Sequence, residues 1–499
     1  MVLIIILFSI TDIFPSSAQV QPGFNVDPAI IRWIDHNISP VTKLPYSFYI
    51  PKQQQHQIFQ QMDDAGLVNG IIERVITKKG LDIYDGAVYQ IVQTMLDGTE
   101  HLKQAQLPLQ YYWNGGIGDM WNVRAGYPIN RYIYDVADPS KVSSNLHAFG
   151  RRGFVFRIIN ADGEYLITDP KNGQKTFAGF PQEDRIHWVD WKPVAGENAW
   201  VVIAAMQLYH QKYFDKEKGV YLHNIQSVEL RLAKELARAA IILQADCGGI
   251  RMAPLGTYRN LEKSEEKDFT TSNWWFNHIS TENNISWYAA LRMLYDVTGD
   301  VIYQKAMQGI EKYMLFVWDK DKGYFHQGAK EISGWWQKST EQFALDVQTW
   351  AICSFGPQQI DAWFGRGAAM SLWNVSKLHA GVFDKEGMIQ GVGYTDEHDR
   401  LSVEWSAGAI VALNEMGKYY QGTQPSWTQQ TQADKLSIRQ KMEELRSKLP
   451  EGQAAFSYSS KRGWIPFGWN SHVPQVMSLA STGWMVFVDA GIDPFRFLP

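Results

Sequence analysis

Apolar residues in this chain gather into six stretches that open on a polar side chain and then continue almost unbroken: residues 84–95, 197–213, 282–297, 346–355, 404–420 and 478–490. A helix that is apolar nearly all round must be buried nearly all round. Between these stretches run segments with a one-sided stripe. In residues 228–243, Val228, Leu232, Leu236, Ala239 and Leu243 share one helical face, while Glu229, Lys234, Glu235 and Arg238 point elsewhere. Residues 57–76, 301–316, 360–378 and 432–449 read in the same way. Alternation of six buried helices with half-buried ones is what two concentric rings require, so the pattern predicts an all-α fold, an (α/α)6 toroid of six helical hairpins.

A turn that recurs as Phe214-Asp-Lys-Glu-Lys-Gly219, Trp318-Asp-Lys-Asp-Lys-Gly323 and Phe383-Asp-Lys-Glu-Gly387 adds a modest second repeat. The Asp319-x-Asp321-x-Gly323 spacing lacks the later ligands of a calcium loop and reads as a plain turn. The long interruption at residues 108–196 holds a β-hairpin signal, strands at 154–159 and 164–167 flanking Asn160-Ala-Asp-Gly163. With Trp113, Trp121, Trp188 and Trp191 it is a candidate wall for a cleft. Residues 421–432, rich in Gln and Thr, read as a loop in which Trp427 has no assigned role. The division is a signal peptide at 1–18, an N-terminal extension at 19–54 and a barrel at 55–497 carrying the insertion.

Composition narrows the class. The 499 residues are 45% hydrophobic, with 20 Trp, 23 Tyr and 24 Phe, which supports a large core and excludes a disordered chain. A formal charge of −5 without a Lys/Arg cluster gives nucleic acid no purchase. The apolar run at residues 2–10 is too short for a membrane span, and Ser16-Ser17-Ala18 supplies a cleavage site, so export by a signal peptide is expected and the mature chain is expected to be free of the membrane. The two cysteines, Cys247 and Cys353, sit in or beside apolar helical segments and read as buried thiols.

The chemistry gathers at the helix starts. Asp85, Glu197, Glu282, Asp346 and Glu404 open five of the six inner helices, and only the sixth, at Ser478 and Ser481, lacks a carboxylate. Capping alone places an acid in a first turn often, but five of six exceeds that habit. If the starts share one end of the ring, the acids converge on its mouth. Trp200, Trp287, Trp350 and Trp405 follow within about a turn, and Asn198, Asn283 and Asn284 supply amides. Sugars offer apolar C–H faces to aromatics and hydroxyls to acids and amides, so the combination reads as a carbohydrate site, although any one Trp on a buried helix is usually core.

The succession Tyr84-Asp85, Glu197-Asn198-Ala-Trp200, Glu282-Asn283-Asn284, Asp346-Val-Gln-Thr-Trp350, Glu404-Trp405-Ser-Ala-Gly408 and Ser478-Leu-Ala-Ser-Thr-Gly-Trp484, followed by Gly491-Ile-Asp-Pro-Phe495, resembles the six-hairpin glycosidase superfamily over roughly residues 55–495. The resemblance implies action on glycosidic bonds by acids at the barrel mouth, in a group that also holds phosphorylases, epimerases and lyases. For glycoside hydrolysis, Glu282 is the expected general acid, its pKa raised by Trp274, Trp275 and Trp287, and Glu404 or Asp346 the base. Asp85 and Glu197 would bind hydroxyls or share the acid role, with Tyr84 beside them in the substrate site. Inverting and retaining courses both remain open.

Epimerisation in related barrels would use paired histidines on the inner ring, and His187, His278 and His379 fall in loops or outer segments. A uronate lyase would draw on Tyr84, Tyr288, Arg251 or Arg292. A non-catalytic carbohydrate-binding or scaffolding protein of exopolysaccharide export is the alternative from another class. No metal or cofactor motif occurs, nor a serine-hydrolase elbow or nucleotide loop.

Overall fold

The computed structural model describes residues 24–63, 76–114, 131–134, 140, 151–162, 166–168, 175–177, 181–182, 185–186, 192–222, 227–255, 257, 274–467 and 469–499. The expected signal peptide, Trp121, His187, Trp188 and Trp191 lie outside them. Six inner helices, Ile83–Leu96, Ala195–Tyr213, Thr281–Thr298, Leu345–Phe355, Val403–Tyr420 and Leu479–Ala490, form a closed ring in which each packs on the next and the sixth returns to the first. Their cores are buried on all faces, as in Ala199, Val202, Ile203 and Met206 of the second. Side chains of Asp82, Ser280, Ser402 and Ser478 cap four of them by accepting backbone N–H groups. The chain thus has the (α/α)6 toroid fold.

Outer helices cover the ring at Thr99–Asn114, Val228–Ile242, Val301–Val317, Pro357–Phe364 with Ala368–Ala380, and Pro425–Glu444. The sixth outer position is filled from the N-terminal side by Pro28–His36, which packs on the sixth inner helix and the strand Gln453–Phe456. Residues 28–36 of the predicted extension are therefore part of the double ring. Asp27 caps this helix by accepting from Ala29 N at 2.7 Å, and Ile30, Ile31, Trp33 and Ile34 are its buried face. The outer helix expected at 57–76 is described only as Gln55–Asp63, where Ile58 joins Ile50 and Val476 in a small cluster separate from the main core.

Other departures have local causes. Thr99–Asn114 is helical despite Pro108, inside the stretch assigned to the insertion. The helix expected at 360–378 breaks at Gly365 and Gly367, whose φ values of 104° and 87° suit glycine. Asp361 fastens the break, accepting from Gly367 N and Ala369 N at 3.0 Å and from the Tyr420 hydroxyl. Residues 425–432 are helix rather than loop, begun by Pro425 in the first turn. Trp427 has a role there, with its ring edge-on to Tyr420 at 4.9 Å and close against Gly367. Glu229 does not face outward. It is buried and paired with Lys212 of the second inner helix at 2.7 Å.

The strands expected to form one hairpin have other partners: Ile158–Asn160 pairs with Gly80–Asp82, and Leu166–Thr168 with Lys175–Phe177. The three repeated turns do share a construction, since Asp215, Asp319 and Asp384 each accept from backbone N–H groups two and three or four residues on. The first follows an inner helix and the others follow outer helices, so the turn is not the repeating unit. A better repeat lies at the fourth residue of the second to sixth inner helices. Asn198, Asn284 and Gln348 each grip both the N–H and the C=O of one residue in an adjoining segment, respectively Val155, Ile250 and Phe325. Ser406 does the same with Val392, and Thr482 accepts from Phe456 N. These clasps tie the loops and short strands to the helix starts.

An acid-lined mouth as the candidate functional site

All five predicted acids stand in the first turns of their helices, at one end of the ring. They sense one another. Burial, followed by the negative charge of Asp346 and then of Glu197 and Glu404, holds the Glu282 carboxyl well above the usual carboxylate range, although Ser286 Oγ donates to its Oε1 at 2.9 Å. Asp346 is pushed up to about 7 by burial against the counter-effect of backbone N–H groups, Val347 N donating to Oδ1 at 2.8 Å. Glu404 is likewise raised to about 7 by burial and by Asp346, with the Tyr84 hydroxyl pulling the other way. Asp85 is raised well above its ordinary value by burial, then by Asp82. Glu197 has a cation beside it, for Arg157 Nε sits 2.8 Å from its Oε1 and 3.8 Å from Asp82 Oδ2.

A short chain of hydrogen bonds orients Glu404. Trp484 Nε1 donates to the Tyr84 oxygen at 2.6 Å, and the Tyr84 hydroxyl donates to Glu404 Oε1 at 2.6 Å. Indole can only donate, so the phenol proton must point to the carboxylate. Oε1 is thereby committed, and Oε2 is the oxygen left for other chemistry. Beneath, Tyr84, Trp200, Trp350, Trp484 and Phe495 form one aromatic cluster with ring centroids 5.0 to 6.3 Å apart.

That cluster corrects the predicted substrate-binding set. Trp200, Trp287, Trp350 and Trp405 are no more than 5% exposed and belong to the core. Trp287 stacks on Phe154 and donates to Ala195 O at 2.8 Å, and Trp405 packs between Tyr394 and Phe467. Trp274 and Trp275 are half-buried in the segment leading to the third inner helix, with Trp275 under Lys192. Asn198 and Asn284 are fully buried, with their amides engaged in the backbone clasps. Asn283 is a spacer: with its amide turned to satisfy both ends, Nδ2 donates to Glu282 Oε2 at 2.6 Å and its oxygen accepts from Gly196 N at 3.2 Å. Of the predicted site residues, the five acids stand at the mouth, with Tyr84 hydrogen-bonded to Glu404.

Reading the sequence missed Arg157, whose place in the insertion carries no motif, and Tyr458, a half-buried residue near Tyr394, Glu404 and Asp85 whose hydroxyl accepts from Trp469 Nε1 at 2.8 Å. Ser481, one helical residue after the position of the acids in the third to fifth helices, has a buried hydroxyl without a partner among the described residues. The rival candidates are elsewhere. His278 stacks on Trp274, His379 stacks on Phe343, and the inner helices contain one histidine, His210, in the last turn of the second. Tyr288 binds Glu311, Arg292 binds Ser354 O and Phe495 O below the aromatic cluster, and Arg251 pairs with Glu331 at 2.7 Å. The cysteines are free thiols. Among the described residues, no helix is long and apolar enough to cross a membrane.

No protein-family model and no curated relative matches the chain. Solved structures do. A sugar epimerase from a ruminal bacterium is 11% identical, with a TM-score of 0.53 over 95% of this chain and 97% of that one. A cellobiose 2-epimerase from Bacillus thermoamylovorans is 11% identical, with a TM-score of 0.47 over 88% of this chain and 99% of that one. An alpha-mannanase from Bacteroides thetaiotaomicron is 10% identical, with a TM-score of 0.45 over 88% and 94%. At these identities the likeness is one of fold.

Proposed function

From the toroid fold and its acid-lined mouth, we propose that this protein is a carbohydrate-active enzyme, a glycoside hydrolase exported by the leader read at residues 1–18. The carrying observation is the trio Glu282, Asp346 and Glu404 on consecutive inner helices, the first two half-buried and the third buried, where loss of solvent makes each harder to ionise. Glycoside cleavage needs one carboxyl that still holds its proton near neutral pH and another that accepts one. Glu282, held well above the usual carboxylate range, is the acid. It gives its proton to the leaving glycosidic oxygen as the bond to the anomeric carbon breaks. Glu404, whose ionised form the Tyr84 hydroxyl favours against burial, takes a proton through Oε2 from the water that attacks that carbon. The charge of Asp346 raises the pKa of both. Asp85, Glu197 and Ser481 are hydroxyl-binding groups.

An epimerase reading, suggested by the name of the ruminal protein, has less support among the described residues, where the one histidine of the inner helices is at the far end of the ring from the acids. The test is release of new reducing ends from α- and β-glucans, mannans, xylans and uronans by the wild type beside Glu282→Gln. Release by the wild type alone supports the proposal. Release by both removes Glu282 from the reaction, and binding without release supports the scaffold alternative.

Tyr84→Phe separates the two candidate bases. Removing a donor that favours ionised Glu404 raises its pKa, so the acid limb of the kcat/KM–pH profile, expected near the value of about 7 for this carboxyl, moves to higher pH. An unmoved limb assigns the base to Asp346, which Tyr84 does not touch.

A further inference from the structure

The third inner helix is preceded by a three-stranded sheet, His278–Ser280, Gly328–Ile332 and Trp335–Ser339, that stands at the mouth beside Glu282. Side chains alternate across a strand, so its two faces can be told apart. One face looks to the outer layer. Ile279 is buried on it, Thr281 Oγ1 lies 3.1 Å from the Tyr313 hydroxyl of an outer helix, Lys338 donates to Trp318 O, and Trp336 lies against the Arg251 guanidinium. The opposite face, in register His278, Lys330 and Gln337 and then Ile332 and Trp335, looks away from the outer helices and leads down to Ser280, the cap of the helix that carries Glu282.

This second face is built to be stiff and aromatic while staying in solvent. Trp335 is 76% exposed. It follows a two-residue turn, Ser333-Gly334, in which both residues have positive φ (53° and 81°), the geometry that matches strand twist and holds a hairpin rigid. Trp274 stacks on His278 at 4.3 Å at the lower end of the face. From the level of Ser280 to that of Trp335 is about 13 Å along the strands and about 10 Å across two of them. A disaccharide seated on Glu282 cannot reach so far.

Among the described residues, the lysine on this face and three arginines around the mouth each have an acid partner, while Lys338, on the opposite face, donates to the Trp318 carbonyl. Lys330 is paired with Glu341, Arg251 with Glu331, Arg157 with Glu197 and Arg400 with Glu397. A uronate chain would need cations that are not already neutralised, and it would face the acids of the mouth. We infer that the substrate is a long, uncharged glycan chain that runs from the acid ring up this sheet, with Trp274 and Trp335 as platforms for its sugar faces and Gln337 between them for hydroxyls. The inference rests on the hydrolase reading only for where one end of the chain sits.

Native gels cast with soluble glucan, xylan, mannan or polygalacturonate, run with full-length wild type, Trp335→Ala and Trp335→Tyr, test it by retardation. The expected result is retardation by at least one neutral polymer, weakened roughly 3- to 10-fold by Trp335→Ala and largely restored by Trp335→Tyr, the size of one stacking contact. Calorimetry with a trisaccharide of the same sugar should give the same Kd for all three proteins. Equal retardation of wild type and Trp335→Ala, strongest retardation by polygalacturonate, or retardation by no neutral polymer overturns the inference. Binding that depends on Trp335 without any release of reducing ends removes the hydrolase reading and leaves the wall. Release with polymer binding unchanged in Trp335→Ala does the reverse.

Discussion

Glu282→Gln should lower kcat by about 100- to 10,000-fold, the loss of one well-placed general acid, while the protein melts no earlier than the wild type. The amide keeps the shape of the side chain and an oxygen to accept from Ser286, but it cannot ionise or deliver a proton. Stability should respond in the opposite direction from activity. Glu282, Asp346 and Glu404 all have folded-state pKa values above those of the unfolded chain, so between the two values the folded protein binds more protons than the unfolded one. By linkage, stability is greatest below the ordinary values of 3.8 and 4.5, and falls as pH rises toward about 7, where Asp346 and Glu404 ionise, with Glu282 extending the fall. The wild type therefore stores strain on the order of a few kcal/mol in these carboxyls at neutral pH. In Glu282→Gln one source of that strain is gone and its neighbours are relieved. Urea denaturation at pH 5 and pH 8 should show a smaller loss between the two for the variant. A variant that is inactive and also less stable at pH 8 would mean that Glu282 is a structural group and not a strained catalytic one.

Phe495→Ala should do the reverse, costing about 3 to 5 kcal/mol of stability. The C-terminal segment enters the ring from the end opposite the acids. Phe495 is fully buried against Trp200, Trp350 and Trp484 at centroid distances of 5.0, 5.5 and 6.3 Å. Backbone groups on either side are held by Gln207, which donates to Pro494 O and Arg496 O and accepts from Leu498 N, and by Arg292, which donates to Phe495 O. Removing the ring leaves a cavity under the indole that orients Tyr84. The urea midpoint should fall, and kcat/KM measured well below that midpoint should fall with it, because Glu404 loses its fixed partner. An unfolding free energy within about 0.5 kcal/mol of wild type would show that the segment lies on the ring without plugging it.

The ring was legible because burial on all faces leaves a mark in sequence: six apolar stretches became the six inner helices with starts displaced by only a few residues. The acids were legible for a related reason, since a charged residue opening such a stretch has to sit at the ring's open end. What sequence could not separate is an amide that binds sugar from one that binds backbone. Asn198 and Asn284 follow acids and precede tryptophans, yet their groups are spent on Val155 and Ile250. The tryptophans misled in the same way, because an indole a turn inside a helix that is buried all round has nowhere to point but the core. Outer helices were harder. Pro425–Glu444 buries only Thr431, Ile438 and Met442, too few to make a stripe, and Pro28–His36 is so short and so far from its partner in sequence that only tertiary contact identifies it. Trp335 drew no notice because an exposed aromatic on a hairpin has no periodic neighbours.

The fate of solvent oxygen tests the proposed chemistry most directly. Reaction in heavy-oxygen water of a polymer that the wild type degrades should place one labelled oxygen at the anomeric carbon of each new reducing end, and Glu282→Gln should form almost no labelled product. New ends without solvent oxygen, an unsaturated sugar from elimination, or a sugar altered in configuration with its linkage intact would each contradict hydrolysis by the acid ring.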